Sequence, residues 1–148
     1  MQSIKQFQNE QNRIYASVVS EPRQGLLMDI WTGQAQSSKD MMKVLDYSLV
    51  SIKDHNLSSW FAEISKLDAL FDIDPDSAEE YIARHVAQSP LRKMAFIHRS
   101  NKTQHVDRIT RVLKGAGIEV KTFATSVMAM QWLLLPTLVR KAVPALEV

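Results

Sequence analysis

Two short polar segments, residues 63–66 and 98–102, each follow an apolar stretch that reads as a strand. Parallel strands end at a common edge of a sheet, and open α/β sheets bind ligands beyond those carboxyl ends. Backbone amides and two cations in the second segment could hold an anion before a helix. A solvated turn capped by Ser100 or Asn101 is the preferred alternative. The candidate ligand-binding or anion-binding residues are Glu63, Ser65, Lys66, His98, Arg99, Ser100, Asn101 and Lys102.

The histidines do not form a metal or catalytic pattern. His98 and His105 are seven residues apart, and a metal site would need a third ligand. The nearest acids, Glu63 and Asp107, do not have the spacing of ligands. An enzyme that pairs His98 with either acid has only proximity to support it. We therefore expect no metal, no cofactor and no enzymatic activity.

Hydrophobic patterning predicts an α/β domain. Turn chemistry at residues 21–25 joins the first two strands into an antiparallel hairpin, and right-handed crossovers make the later strands parallel. The expected fold is a mixed sheet of about five strands flanked by about four helices. The predicted strands are 14–19, 26–32, 58–64, 92–98 and 118–123, and the predicted helices run from Ser37-Ser38 to about Asp54, from Pro75 to about Ser89, from Thr103 to Ala116 and from Ser126 to about Leu134.

Length and composition bound the class of protein. A chain of 148 residues with 45% hydrophobic residues suits one domain, with a core at about 14–134, a polar N-terminal segment 1–13 and a C-terminal tail 136–148. The formal charge of +2 gives no reason to expect nucleic-acid binding. With no cysteine, no signal peptide and no apolar run near the length of a membrane helix, the sequence predicts a cytoplasmic protein.

The end of the last predicted helix is unusually apolar. Trp132, Leu135 and Leu138 are candidate interface residues, because one small core cannot bury them all unless they dock in a groove or meet another subunit. Methionines add adaptable apolar surface, which suits either ordinary packing or a pocket for a small molecule or acyl chain. Those methionines are Met41, Met42, Met94, Met128 and Met130, and core packing is the preferred interpretation for most of them.

Taken in order, these segments resemble a known family. The hairpin that ends in Trp31-Thr32-Gly33, the strand from Trp60 to Ile64, the strand 93–97 and the unit 117–133 look like the bacterial SpoIIAA-like, or STAS-like, single-domain family. The resemblance covers roughly residues 14–134. It implies a mixed sheet of four or five strands flanked by helices, in soluble bacterial proteins that mostly have no assigned function.

The resemblance also draws attention to Ser77. In anti-sigma-factor antagonists of this family, a partner kinase phosphorylates a serine at the start of a helix, in a motif close to Asp-Ser-Ser-Gly. The nearest match here is Asp76-Ser77-Ala78-Glu79, which agrees at two positions. Ser77 with Glu80 also forms a capping box, so capping is the preferred interpretation and phosphorylation the alternative. Acidic neighbours would oppose a phosphate there.

The resemblance and the missing catalytic pattern together favour a non-enzymatic regulatory or protein-interaction module, which would bind a protein partner or self-associate. The alternative is a small apolar-ligand or lipid-binding protein, which the methionines and the apolar C-terminal helix support.

Overall fold

The computed structural model describes residues 2–33, 37–66, 75–97 and 103–142, with the backbone alone described at 75–78, 103–105 and 135–142. These ranges contain the five predicted strands, the four predicted helices and one further strand. In chain order the elements are β1 (Ser3–Gln8), β2 (Ile14–Glu21), a short 3-10 helix (Pro22–Gln24), β3 (Leu26–Trp31), α1 (Ser38–Asp54), β4 (Ser59–Glu63), α2 (Pro75–Ala87), β5 (Lys93–Ile97), α3 (Thr103–Gly115), β6 (Glu119–Thr122) and α4 (Ser126–Ala142).

The strands form one mixed sheet in the order β1-β2-β3-β4-β5-β6. The first three strands are antiparallel neighbours, and β3 to β6 are parallel neighbours. This confirms the predicted antiparallel hairpin followed by parallel strands. Each parallel crossover moves one place in the same direction, so right-handed connections put α1, α2 and α3 on one face of the sheet. The last helix, α4, packs on the opposite face against β4 and β5.

The sheet has six strands because the predicted polar segment 1–13 contains β1. This strand pairs with β2 through a turn in which Asn9 Oδ1 accepts hydrogen bonds from the backbone N–H groups of Gln11 and Arg13. Asn12 adopts a φ of 62° there. An edge strand has one pairing partner, and almost every residue of β1 is exposed, so it carries no alternation of buried and exposed side chains that would mark it.

The last helix differs from the prediction as well, because α4 continues through Pro136 to Ala142 where we expected a tail. Proline has no backbone N–H, so the carbonyl of Trp132 loses its helical partner four residues on. Lys93 Nζ donates a hydrogen bond to that carbonyl at 3.4 Å. A side chain from β5 therefore substitutes for the missing backbone donor. Neither α4 nor another helix in the described ranges has the length and hydrophobicity that crossing a membrane requires.

Two apolar layers enclose the central strands. Alternation along β4 directs Trp60 and Ala62 toward α1, α2 and α3, whereas Phe61 packs under α4. Because β4 is buried on both faces, the adjacent large side chains of Trp60 and Phe61 both lie in apolar surroundings. The layer beneath α1 to α3 is the larger one and contains the candidate site.

Candidate functional site

A cavity of about 140 Å³ lies between the sheet and α1 to α3. We call it the Asp29 cavity, after the one ionisable group among the described side chains that line it. The lining side chains are Asp29, Trp31, Met41, Met42, Val44, Leu45, Ser48, Trp60, Ala62, Ile64, Ile82, Met94, Phe96, Val106, Ile109 and Leu113.

Two tryptophans hold the carboxylate of Asp29. Trp31 follows two residues later on β3 and therefore shares its face, and its Nε1 donates to Asp29 Oδ1 at 2.8 Å. Trp60 reaches from β4, and its Nε1 donates to Oδ2 at 2.5 Å. Each carboxylate oxygen thus accepts one indole N–H, which fixes the orientation of the group at the floor of the cavity.

The environment of Asp29 changes its titration. Burial raises the pKa of Asp29 from 3.8 to about 6, although the hydrogen bonds from Trp60 and Trp31 act in the opposite direction. No cation within the described ranges forms an ion pair with this carboxylate. A buried charge is normally paired or neutralised, so an anionic group in this setting is unusual. Perturbed carboxyl groups of this kind are enriched at functional sites.

Ser48 supplies the second polar group of the cavity. Its side chain on α1 is fully buried, and its hydroxyl finds no hydrogen-bond partner in the part of the chain that the structure describes. Apart from Asp29, Ser48 and the two indole N–H groups, the described lining is apolar. An apolar chamber with a few oriented polar groups is the usual make-up of a small-molecule site.

The five methionines lie in three different environments. Met41, Met42 and Met94 line the Asp29 cavity, whereas Met130 packs against the layer under α4. Met128 is exposed. Met41 and Met42 are only partly buried, so two flexible side chains of the lining lie partly at the surface of α1.

The polar candidate residues at the end of β4 and just after it lie outside the Asp29 cavity. Glu63 Oε1 accepts hydrogen bonds from the backbone N–H of Ser65 at 2.9 Å and from its hydroxyl at 2.5 Å, and Lys66 is exposed. Ala62 is the register partner of Asp29, so Glu63 faces the α4 side of the sheet. These residues form a local turn and do not reach the Asp29 cavity. The other five candidates, His98, Arg99, Ser100, Asn101 and Lys102, lie outside the described residues.

The remaining candidates are only partly placed. Ser77 lies in the first turn of α2, which begins at Pro75 as predicted, but its side chain lies outside the description. Phosphorylation of Ser77 stays a prediction. The structure shows no cluster of three metal-binding side chains in the ranges where side chains are described, and both His98 and His105 lie outside those ranges.

Trp132 packs on its own domain. Its ring lies 5.6 Å from that of Phe123, between centroids, and the ammonium groups of Lys93 and Lys121 lie 4.6 Å and 5.3 Å from its centroid. The indole is partly buried in the layer under α4. The side chains of Leu135 and Leu138 lie outside the description, so their role at an interface stays a prediction.

Sequence reasoning missed Asp29 and Ser48. A signal for Asp29 is present, since it is a carboxylate inside the apolar segment Leu26–Trp31, flanked two residues away by Leu27 and Trp31. Alternation puts those three side chains on one face, and an acid on a buried face requires an explanation. No comparable signal marks Ser48, because serine is common in amphipathic helices.

No model of a known protein family matches the chain, and no curated protein matches it. Among solved structures, the chain is similar to the crystal structure of an uncharacterized protein of the DUF3478 family from Shewanella loihica PV-4, described as having a SpoIIAA-like fold. The two are 16% identical, with a TM-score of 0.45, over 90% of this chain and 95% of that chain. The fold named for that protein is the one that the sequence resemblance implied.

Proposed function

We propose that this protein binds a small, largely apolar molecule in the Asp29 cavity. The observation that carries the proposal is a buried carboxylate, held by Trp31 and Trp60, at the floor of an otherwise apolar chamber. An engineered apolar cavity of about 150 Å³ in another protein binds benzene, so a volume of about 140 Å³ is enough for one ring.

Filling the cavity tests this proposal. Ala62 is buried and lines the cavity, and Ala62→Leu would place three further carbon atoms there. We expect toluene to raise the melting temperature of the unmodified protein in a concentration-dependent way and to lose this effect in Ala62→Leu. Ser48→Leu fills the same space from α1, so two independent variants report on one chamber.

Ala87→Leu is the matched control. Ala87 is exposed on α2 and does not line the cavity, so its replacement adds the same atoms without closing the chamber. Stabilisation by toluene should persist in Ala87→Leu. An unmodified protein that shows no stabilisation, or cavity-filling variants that fold and respond like Ala87→Leu, would contradict the proposal.

A regulatory or protein-interaction module is the second proposal, and the sequence resemblance supports it. The structural observation that favours it is the exposure of two large apolar side chains on α4, Val127 at 67% and Met128 at 54%. Self-association through this helix should bring both side chains into an interface. Sedimentation equilibrium of the unmodified protein and of Val127→Ser/Met128→Ser checks this, and monomers in both cases would oppose it.

A further inference from the structure

The chemistry of the Asp29 cavity points to one class of ligand. We propose that the ligand is an amphipathic amine, whose ammonium group pairs with Asp29 and whose hydrocarbon body fills the apolar chamber. This inference rests on the proposed binding function of the cavity and adds the identity of the polar group on the ligand.

The hydrogen-bonding capacity of Asp29 supports an additional donor. An ionised carboxylate has about four acceptor sites on its two oxygens, and the indoles of Trp31 and Trp60 occupy one on each oxygen. Capacity for further donors remains after the tryptophans are bound. An ammonium group offers up to three N–H donors and would form a charge-assisted hydrogen bond.

The charge balance favours a cation over a neutral or anionic group. Asp29 is buried, and no described cation pairs with it. Near neutral pH the carboxyl group of Asp29 is ionised in most protein molecules, because its pKa of about 6 lies below the pH. An anionic ligand would add a second buried negative charge. A cationic ligand would supply a partner that the described residues do not, and breaking a buried ion pair by removing one partner is strongly unfavourable.

Ser48 fits the same ligand. Its buried hydroxyl lines the cavity and has no hydrogen-bond partner among the described residues. A hydroxyl oxygen accepts hydrogen bonds, but this one is almost fully covered, so a polar group of the ligand would reach it after a rotation of the Ser48 side chain. Binding would thereby satisfy a polar atom that otherwise incurs a desolvation cost.

The experiment compares three ring compounds of similar shape that differ in one group: toluene, benzyl alcohol and benzylamine. Dissociation constants are measured at pH 7.5 by titration of the 15N-labelled full chain. The chain has three tryptophans, so its indole N–H signals provide an internal control. Benzylamine should shift the signals of Trp31 and Trp60, whereas the signal of Trp132, on the opposite face of the sheet, should stay in place.

We expect benzylamine to bind about tenfold or more tightly than benzyl alcohol, which is the range of a hydrogen bond to a charged group. Asp29→Asn keeps the size of the side chain, removes the charge and leaves one of the two indole N–H groups without an acceptor, because an amide has one acceptor oxygen. It should weaken benzylamine binding by about tenfold to a hundredfold more than it weakens toluene binding, because toluene has no group that pairs with the charge. Retained toluene binding shows that the variant still forms the cavity.

The outcomes separate the two proposals. If the unmodified protein binds benzylamine and benzyl alcohol equally well, or binds toluene but not benzylamine, the proposal that the ligand is an amine is wrong. The proposed binding function of the cavity then still stands. Binding of none of the three compounds overturns both. If Asp29→Asn does not fold, the series on the unmodified protein decides the question without it.

Discussion

Trp60 on β4 donates a hydrogen bond from Nε1 to Oδ2 of Asp29 on β3, although the two residues are not register partners. The partner of Asp29 across the ladder is Ala62, and the partner of Trp60 is Leu27. The bond is therefore diagonal, and it crosses the face of the sheet that the first three helices cover. With the bond from Trp31, it makes the carboxylate a link between two large indoles.

Replacing Trp60 by phenylalanine should remove that link. Trp60→Phe leaves Asp29 with one indole donor, and we expect the free energy of unfolding to fall by about 1.5–3 kcal/mol, as for a hydrogen bond to a charged group. Urea denaturation at neutral pH measures the change. Trp132→Phe is the control, because the ring of Trp132 is partly buried and its indole N–H donates to no residue that the structure describes. Equal losses in the two variants would argue against a specific role for the bond.

Acidification should stabilise the protein through Asp29. Burial raises the pKa of Asp29 from 3.8 to about 6, so between these pH values the native state holds a proton that the unfolded chain releases. Its contribution to the free energy of unfolding is therefore full below pH 3.8 and is lost as the pH rises through 6. A shift of this size corresponds to about 3 kcal/mol.

Asp29→Asn isolates this effect from the other carboxyl groups. The stability of the unmodified protein minus that of the variant should increase as the pH is lowered from 7.5 to 4, and urea denaturation in steps of pH gives the curve. A difference that stays flat over this range would show that the pKa of Asp29 is not raised.

Ser48→Ala should leave the protein equally stable or stabilise it. The variant removes a buried hydroxyl without a described partner and puts a better helix former into α1, so we expect a gain of up to about 1.5 kcal/mol in the free energy of unfolding. Ser51→Ala on the same helix controls for helix propensity. A loss of more than about 1 kcal/mol in Ser48→Ala alone would mean that the hydroxyl has a structural partner.

The bond between Lys93 and the carbonyl of Trp132 should matter only while Pro136 is present. Lys93→Met removes the substitute donor, and we expect a loss of about 0.5–1.5 kcal/mol in the free energy of unfolding. Pro136→Ala restores a backbone N–H four residues after Trp132. In that background the same lysine substitution should cost less, which a double-mutant cycle by urea denaturation measures.

Lys121→Met is the matched control for this cycle. Lys121 also lies over the ring of Trp132, at 5.3 Å from its centroid, but the structure gives it no bond to the carbonyl. Its replacement should show no coupling to Pro136→Ala. Additive effects of Lys93→Met and Pro136→Ala would contradict the substitution of one donor for another.

Local chemistry made much of the fold predictable. Pro75 begins α2 as its N-terminal signal indicated, and Gly117, the predicted cap of the third helix, adopts a φ of 87°. Just after α3, the N–H of Ile118 bonds back to the carbonyl of Leu113, as expected when a glycine in this conformation ends a helix. These signals act within a few residues and can be read from the sequence without the tertiary structure.

The unpredicted features depend on partners that are distant in sequence. The edge strand β1 is defined by its ladder with β2 and not by its own composition. Helix α4 continues through Pro136, and Lys93, more than forty residues earlier, donates to the carbonyl that the proline leaves without a helical partner. The Asp29 cavity requires Trp60, which the register of β3 and β4 brings to the carboxylate. No local sequence pattern predicts contacts of this kind between distant residues.

The strand order also bears on how the chain folds. Each strand of the sheet pairs with the strand before it in the sequence, from β1 to β6. The ladders therefore form between consecutive segments, and a chain that emerges from the ribosome N-terminus first can assemble β1, β2 and β3 before the parallel strands are synthesised. Each parallel ladder forms only after the helix of its crossover has been synthesised, because parallel strands need a crossover connection. The same order makes the antiparallel strands a natural template onto which each later crossover unit is added.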